Sequence, residues 1–252
     1  MKKFTHTLFA VVPILLWLLI SLSGSGDNSR TQAAAHPGAN SAFEKTLDAH
    51  GGRAAIARAT SARLEAVRLM TTHPTEFVER HLTVSFTGAK FRRDSIISSG
   101  AYESIEMFDG ARLYAVSKSK DDTTSHAIAS DSNRLRALRV HVDTFGLLPM
   151  LRVCADSVAV AEGRAGAFDK FRVATASGDW IVYTDQEGLI RRLEIKDKVF
   201  QFADYRQTGE LRLPFIERLS VGDRLVYELI FSKIEINPDF PPDHFDPQAL
   251  QR

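Results

Sequence analysis

From Ala62 to Ile236 the chain is written almost entirely in twos. Apolar residues return at every second position in runs near 62–71, 76–87, 89–98, 102–108, 111–118, 156–162, 168–175, 179–185, 189–196, 198–206, 212–220 and 224–236. That period sends successive side chains to opposite sides, so each run reads as a strand with one buried and one solvated face. In the run from Val78, the residues Val78, Leu82, Val84 and Phe86 share one face, and Glu79, His81, Thr83 and Ser85 share the other. Asp109-Gly110, Ser177-Gly178-Asp179, Gln186-Glu187-Gly188 and Val221-Gly222-Asp223 fall between runs and mark hairpin turns. Consecutive hairpins in this number build one large antiparallel sheet, and such a sheet curls. The expected fold class is mainly β with helices, a curved antiparallel barrel or half-barrel of about eleven or twelve strands.

Helical spacing interrupts this pattern in two places. From Ser41, Phe43 and Leu47 lie one helical turn apart and Gly51-Gly52 ends the helix; a short alanine-rich helix follows from Arg53 to Ala59, with Ile56 as its apolar contact. Residues 119–132 are rich in Ser, Thr, Asp and Lys and read as a polar loop. Beyond it Leu135, Leu138, Val142 and Phe145 recur at helical spacing beside Arg134, Arg136 and Arg139, continuing raggedly into Gly146, Leu147, Leu148, Pro149, Met150 and Leu151. An amphipathic run of this kind must pack on something. The proline-rich tail from Asn237 to Pro247 is expected to lie extended on the surface, with Phe240 and Phe245 as plugs.

Lys2 and Lys3 precede an apolar stretch from Leu8 to Leu22 broken only by Pro13 and Ser21, followed by Ser-Gly-Ser-Gly. This reads as an export signal. A membrane-spanning helix needs about 20 apolar residues, so the stretch is short for a permanent anchor unless its flanks are recruited. Residues 1–35 are expected to be a signal peptide, or an anchor if retained, with Ala33-Ala34-Ala35 offering a cleavage site and Ser21 to Gly26 an alternative one. Residues 36–252 are expected to form a single exported domain.

Composition removes several function classes. With 32 Lys plus Arg against 31 Asp plus Glu in 252 residues, the chain lacks the basic excess of a nucleic-acid binder. One cysteine, Cys154, excludes an internal disulfide and a paired-thiolate zinc site. The histidines at 50, 73, 81, 126, 141 and 244 show no metal-binding spacing, and His50 is expected to decorate a helix end. Asp239, Asp243 and Asp246 lack the ligand alternation and central glycine of a calcium loop. There is no G-x-S-x-G elbow, and Gly163-Arg164-Ala165-Gly166 lacks the ending of a phosphate loop. No cofactor, no metal and no catalysis are expected.

Three segments, in order, carry a resemblance. They are Leu47-Asp48-Ala49-His50-Gly51-Gly52-Arg53-Ala54-Ala55-Ile56 leading through Ala62-Arg63-Leu64-Glu65, then Phe202-Ala203-Asp204-Tyr205-Arg206 followed by Leu213-Pro214-Phe215, and Ile234-Glu235-Ile236-Asn237 leading to Phe245. Together they resemble the periplasmic lipoprotein carriers, the outer-membrane lipoprotein-sorting proteins and their uncharacterised relatives. The resemblance implies a strongly curved half-barrel closed by a helical lid over an apolar cavity that binds acyl chains. The expected function is a carrier or chaperone for a lipid or lipidated protein. An envelope sensor or assembly subunit, its tail 237–247 docking onto a partner protein, is the alternative.

Leu138, Val142, Phe145, Leu148 and Met150 are the lid candidates, and Leu82, Val84 and Phe86 the cavity candidates. Arg80 shares the parity of Leu82, Val84 and Phe86, which puts a guanidinium on an apolar face where it needs a partner. Arg68, beside Leu64 and Met70, is a second such residue. In the family that the chain resembles, an inward arginine latches the lid by bonding its backbone carbonyls, a role that would fall to Arg80 or Arg68 here.

Overall fold

The computed structural model describes residues 37–73, 76–97, 102–119, 123–128 and 146–251. The expected export segment 1–35, and Leu138, Val142 and Phe145, lie outside the described residues. Two helices open the described chain, α1 (Pro37–Ala49) and α2 (Gly52–Arg58). Six strands follow: β1 (Ser61–His73), β2 (Glu76–Thr87), β3 (Lys90–Ile97), β4 (Tyr102–Phe108), β5 (Leu113–Ser119) and β6 (Thr123–Ile128). After helix α3 (Leu148–Ala155) come β7 (Val158–Ala165), β8 (Phe168–Thr175), β9 (Gly178–Thr184), β10 (Ile190–Ile195), β11 (Lys198–Thr208), β12 (Leu211–Val221) and β13 (Arg224–Ile236). A 3-10 turn at Pro247–Gln251 ends the described chain.

All thirteen strands belong to one antiparallel, curved sheet in the order β6-β5-β4-β3-β2-β1-β13-β12-β11-β10-β9-β8-β7. Two meanders, β1 to β6 and β7 to β13, are joined where the first strand pairs with the last, Leu64 opposite Ile234 and Ala66 opposite Phe231. Among the described residues the sheet is open, with β6 and β7 as its edges.

The strand count corrects the sequence reading in one place. Residues 123–128, expected within a polar loop, form β6 by pairing with β5, Leu113 opposite Ile128 and Lys118 opposite Thr123. Thr123, Thr124, Ser125 and His126 give no apolar alternation, because an edge strand is held by its backbone ladder and need not bury a face.

The core lies on one face of the sheet, under the helices. On β1 and β2 it takes Ala62, Leu64, Leu82, Val84 and Phe86, and on the second meander Phe171, Val173, Trp180, Val182, Phe200, Phe202, Leu213, Phe215, Leu229 and Phe231. Phe43 of α1 meets Phe171 edge-on at 5.2 Å between ring centroids. Helix α1 stops where expected: Gly51 has φ +113°, and a Cβ there would lie 2.3 Å from the Glu210 carbonyl oxygen, so both conformation and space require glycine.

Phe245 is the buried plug expected of the tail, and Phe240 lies edge-on to it at 5.1 Å with Arg63 over its ring. The extended course does not hold throughout, because the backbone turns where the His244 N–H donates to Pro241 and the Asp246 N–H to Asp243. Arg92 donates to the His244 carbonyl at 3.1 Å. Arg63 and Arg92 point away from the helix-covered side, so the tail packs against the opposite face of its own sheet.

Candidate ligand site on the concave face

The cavity candidates of β2 sit where their parity places them. Leu82, Val84 and Phe86 are buried and lie opposite Ala66, Leu64 and Ala62 of β1. Leu148 and Met150 are buried in the same apolar cluster, on α3. Gly146, just before α3, is seated over the middle of the sheet, with the side chains of Leu64 and Phe231 beneath it. The helical spacing expected to run on into Gly146 and Leu147 is broken at those two residues: Gly146 has φ +66° and Leu147 φ +26°, and α3 begins only at Leu148.

A carboxylate holds this entry to α3. Glu217 of β12 is fully buried; its Oε2 accepts the Gly146 N–H at 3.0 Å and its Oε1 accepts the Tyr227 hydroxyl at 2.8 Å. Burial pushes its pKa up to about 7, against the pull of the two hydrogen bonds. Sequence reasoning missed Glu217. Its signal lies in the strand pattern, since Glu217 interrupts the alternation Leu213, Phe215, Leu219 at a core position, as Arg80 interrupts that of β2.

Arg80 and Arg68 are directly opposite each other in the β1–β2 ladder, one pair beyond Ala66 and Leu82 on the same face. The Nε of each is buried without a hydrogen-bond partner. Burial, reinforced by Arg93 and Arg80, pushes the Arg68 guanidinium down to about 9, and burial likewise lowers that of Arg80. Arg93, opposite Val84 on β3, is ion-paired with Glu106 of β4. Farther from the first-to-last strand junction this face turns polar, with Ser95, Ser104 and Ser117 in register across β3, β4 and β5. The helix-covered face is thus apolar on the second meander, on β1–β2 near the junction and along the row Phe86, Phe91, Phe108 and Leu113, and it is cationic and hydroxylic at the other end of β2–β5, around Arg68, Arg80 and the serine row.

His50 does not decorate a helix end, as its place before Gly51-Gly52 suggests. It is fully buried: Nδ1–H donates to the Arg212 carbonyl at 2.8 Å, and Nε2 accepts the Ile190 N–H at 3.2 Å. That arrangement requires the neutral ring, and burial lowers its pKa to about 4. It pins the end of α1 to β10 and β12. Cys154, buried on α3, has its thiol pushed up to about 12 by the same desolvation.

Among the described residues no group of three or more His, Cys, Asp or Glu gathers as a metal site, and no helix is long and apolar enough to cross a membrane.

No protein-family model matches the sequence, and no curated protein matches it. Solved structures do. The chain is similar to the crystal structure of a DUF1329 family protein from Desulfovibrio piger, with a TM-score of 0.57 and 9% identity over 84% of this chain and 99% of that one. It is similar also to a LolA superfamily protein from Nitrosomonas europaea, with a TM-score of 0.53 and 10% identity over 86% of this chain and 100% of the other. Both likenesses take in nearly the whole of the other protein, and at these identities they concern architecture: the chain has a LolA-like fold.

Proposed function

We propose that this chain is an exported envelope protein of the periplasm that holds a lipid, or the acyl chains of a lipidated protein, against the concave face of its sheet, acting as a carrier or chaperone that makes and breaks no bond. The observation that carries this reading is the seating of Gly146, at the entry to α3, over Leu64 and Phe231 of the apolar floor. In this reading the chain around Gly146 belongs to a cover that lies over the apolar floor and moves aside for a ligand. The LolA-like fold supports the same reading. In this reading Leu138, Val142, Phe145, Leu148 and Met150 belong to the cover, Leu82, Val84 and Phe86 to the floor, and Arg80 or Arg68 would latch the cover when no ligand is bound. Burying an acyl chain contributes about 0.8 kcal/mol per methylene, so a few methylenes offset a cover held by a few kcal/mol.

Organic extraction of the purified full chain followed by lipid mass spectrometry tests the proposal, together with titration by a fluorescent acyl probe. Co-purifying lipid, or saturable probe binding that Leu82→Asp weakens, is the expected result. Absence of both would end the carrier reading.

A further inference from the structure

Two guanidiniums facing each other across a β-ladder repel, and like charges directly opposite destabilise a strand pair. Arg68 and Arg80 do so, one pair beyond Ala66 and Leu82, on the partly enclosed concave face. The carboxylate that shares this face on β4, Glu106, is already ion-paired with Arg93. The Glu217 carboxylate is occupied by Gly146 and Tyr227. Of the six buried side-chain polar atoms without a hydrogen-bond partner among the described residues, three are in this one patch: Arg68 Nε, Arg80 Nε and Ser95 Oγ. Ser95 is paired with Leu82 on β3, the neighbouring position to Arg80 on the same face. Buried donors left unmade are rare and each requires a reason. The shared reason is an absent acceptor.

We propose that Arg68, Arg80 and Ser95 form an oxyanion subsite that receives the head group of an anionic amphiphile whose chain lies on the adjoining apolar floor. This rests on the carrier reading and sharpens it, because it specifies the ligand's charge. The chemistry is that of a carboxylate or phosphate oxyanion. A guanidinium presents its donors in a planar fork that matches two such oxygens, and the hydroxyl of Ser95 adds a third donor. The layout also orients the ligand. Leu82, Val84 and Phe86 run from Arg80 toward the Thr87 end of β2, so a chain whose head is at the arginines has an apolar track along the strand and across to Leu64 and Phe231.

The test titrates the full chain with four amphiphiles of matched chain length: oleate, lysophosphatidic acid, oleyl alcohol and monoolein. Tighter binding of an anionic amphiphile than of both neutral ones by about tenfold or more is the expected result, with that margin lost in Arg68→Gln/Arg80→Gln and kept in Arg164→Gln, which removes an exposed charge elsewhere. The oleate and lysophosphatidic acid arms decide between carboxylate and phosphate as the preferred head. Removing the guanidiniums relieves their mutual repulsion, so the double variant is expected to fold; its circular dichroism and unfolding midpoint establish that before titration, and Arg80→Gln alone serves if it does not. Equal affinity for charged and neutral ligands, unchanged by the substitutions, would overturn the subsite and leave the carrier reading standing. Binding of none of the four would overturn both.

Discussion

The Gly146 amide donates to Glu217 at 3.0 Å, joining the entry of α3 to the sheet beneath it. The bond is buried, and Glu217 also accepts the Tyr227 hydroxyl. Glu217→Ala would leave two buried donors without an acceptor. Each such loss costs about 1–3 kcal/mol, so the variant is expected to be destabilised by about 2–6 kcal/mol. Glu217→Gln keeps an acceptor oxygen in the same place and should lose less than half as much. Urea unfolding of the three proteins checks this ordering, and an alanine variant no less stable than the glutamine one contradicts it.

Glu217 and His50 give stability opposite dependences on pH. Burial raises the Glu217 pKa from 4.5 to about 7 in the folded chain, so the unfolded chain releases its proton first and stability falls as pH rises through that interval. His50 is depressed from 6.5 to about 4, so the unfolded chain takes up a proton first and stability falls as pH drops from 6.5 to about 4. Between these limits each group contributes a slope of at most about 1.4 kcal/mol per pH unit, and the two cancel. Glu217→Gln should therefore lose stability relative to the parent on acidification across this interval, and His50→Gln should gain it. Unfolding midpoints at about pH 4.5, 5.5 and 6.5 give the slopes; parallel curves for all three proteins would refute the assignment.

How much of this is legible in the sequence follows from how far apart the determinants lie. Leu82, Val84 and Phe86 announce a buried face within one strand, and the placement of Arg80 on that face follows from parity alone. The Gly51-Gly52 helix stop is equally local. β6 is invisible because its residues are polar and its existence depends on an available edge of β5. The meeting of β1 with β13 joins residues far apart in the chain, and no period records it. His50 cannot be read because its partners, Ile190 and Arg212, are brought to it only when the second meander folds. Glu217 is legible in principle, being a charge at a core parity, but its role is not, since Gly146 arrives from a different part of the chain. The Arg68–Arg80 opposition is a register fact: parity puts each residue on a face, and only pairing makes them neighbours.

Three glycines with positive φ separate conformational strain from close approach. Gly163 has φ +100° and nothing within 4 Å of where a Cβ would stand, Gly146 has φ +66° with Leu64 Cδ2 at 2.7 Å from that position, and Gly51 has φ +113° with the Glu210 carbonyl oxygen at 2.3 Å. Gly163→Ala carries the backbone cost alone, about 1 kcal/mol. Gly146→Ala adds displacement of a flexible leucine and should cost about 2 kcal/mol, and Gly51→Ala, which must move backbone, should exceed both. Thermal unfolding of the series tests the order; Gly51→Ala as mild as Gly163→Ala would mean that the approach of α1 to β12 yields without cost.

Asn237 closes the junction at which the first strand meets the last. Its Oδ1 accepts the N–H groups of Thr60 and Ser61 at 3.0 and 3.1 Å, and its Nδ2 donates to the Arg58 carbonyl at 2.8 Å. One side chain thereby satisfies the backbone where α2 turns into β1, from a residue in the left-handed conformation, φ +51°, that asparagine tolerates better than most. The substitutions divide these contributions. Asn237→Gly keeps the conformation and loses the hydrogen bonds, Asn237→Asp keeps the acceptor and loses the donor, and Asn237→Ala loses the bonds and adds strain. Alanine should be the most destabilising, at about 2–3 kcal/mol, with aspartate the mildest. Hydrogen exchange gives a local readout: the Thr60 and Ser61 amides should lose protection in the glycine and alanine variants and retain it with aspartate. Unchanged protection in Asn237→Gly would show that the β1–β13 ladder, and not the asparagine side chain, holds this corner.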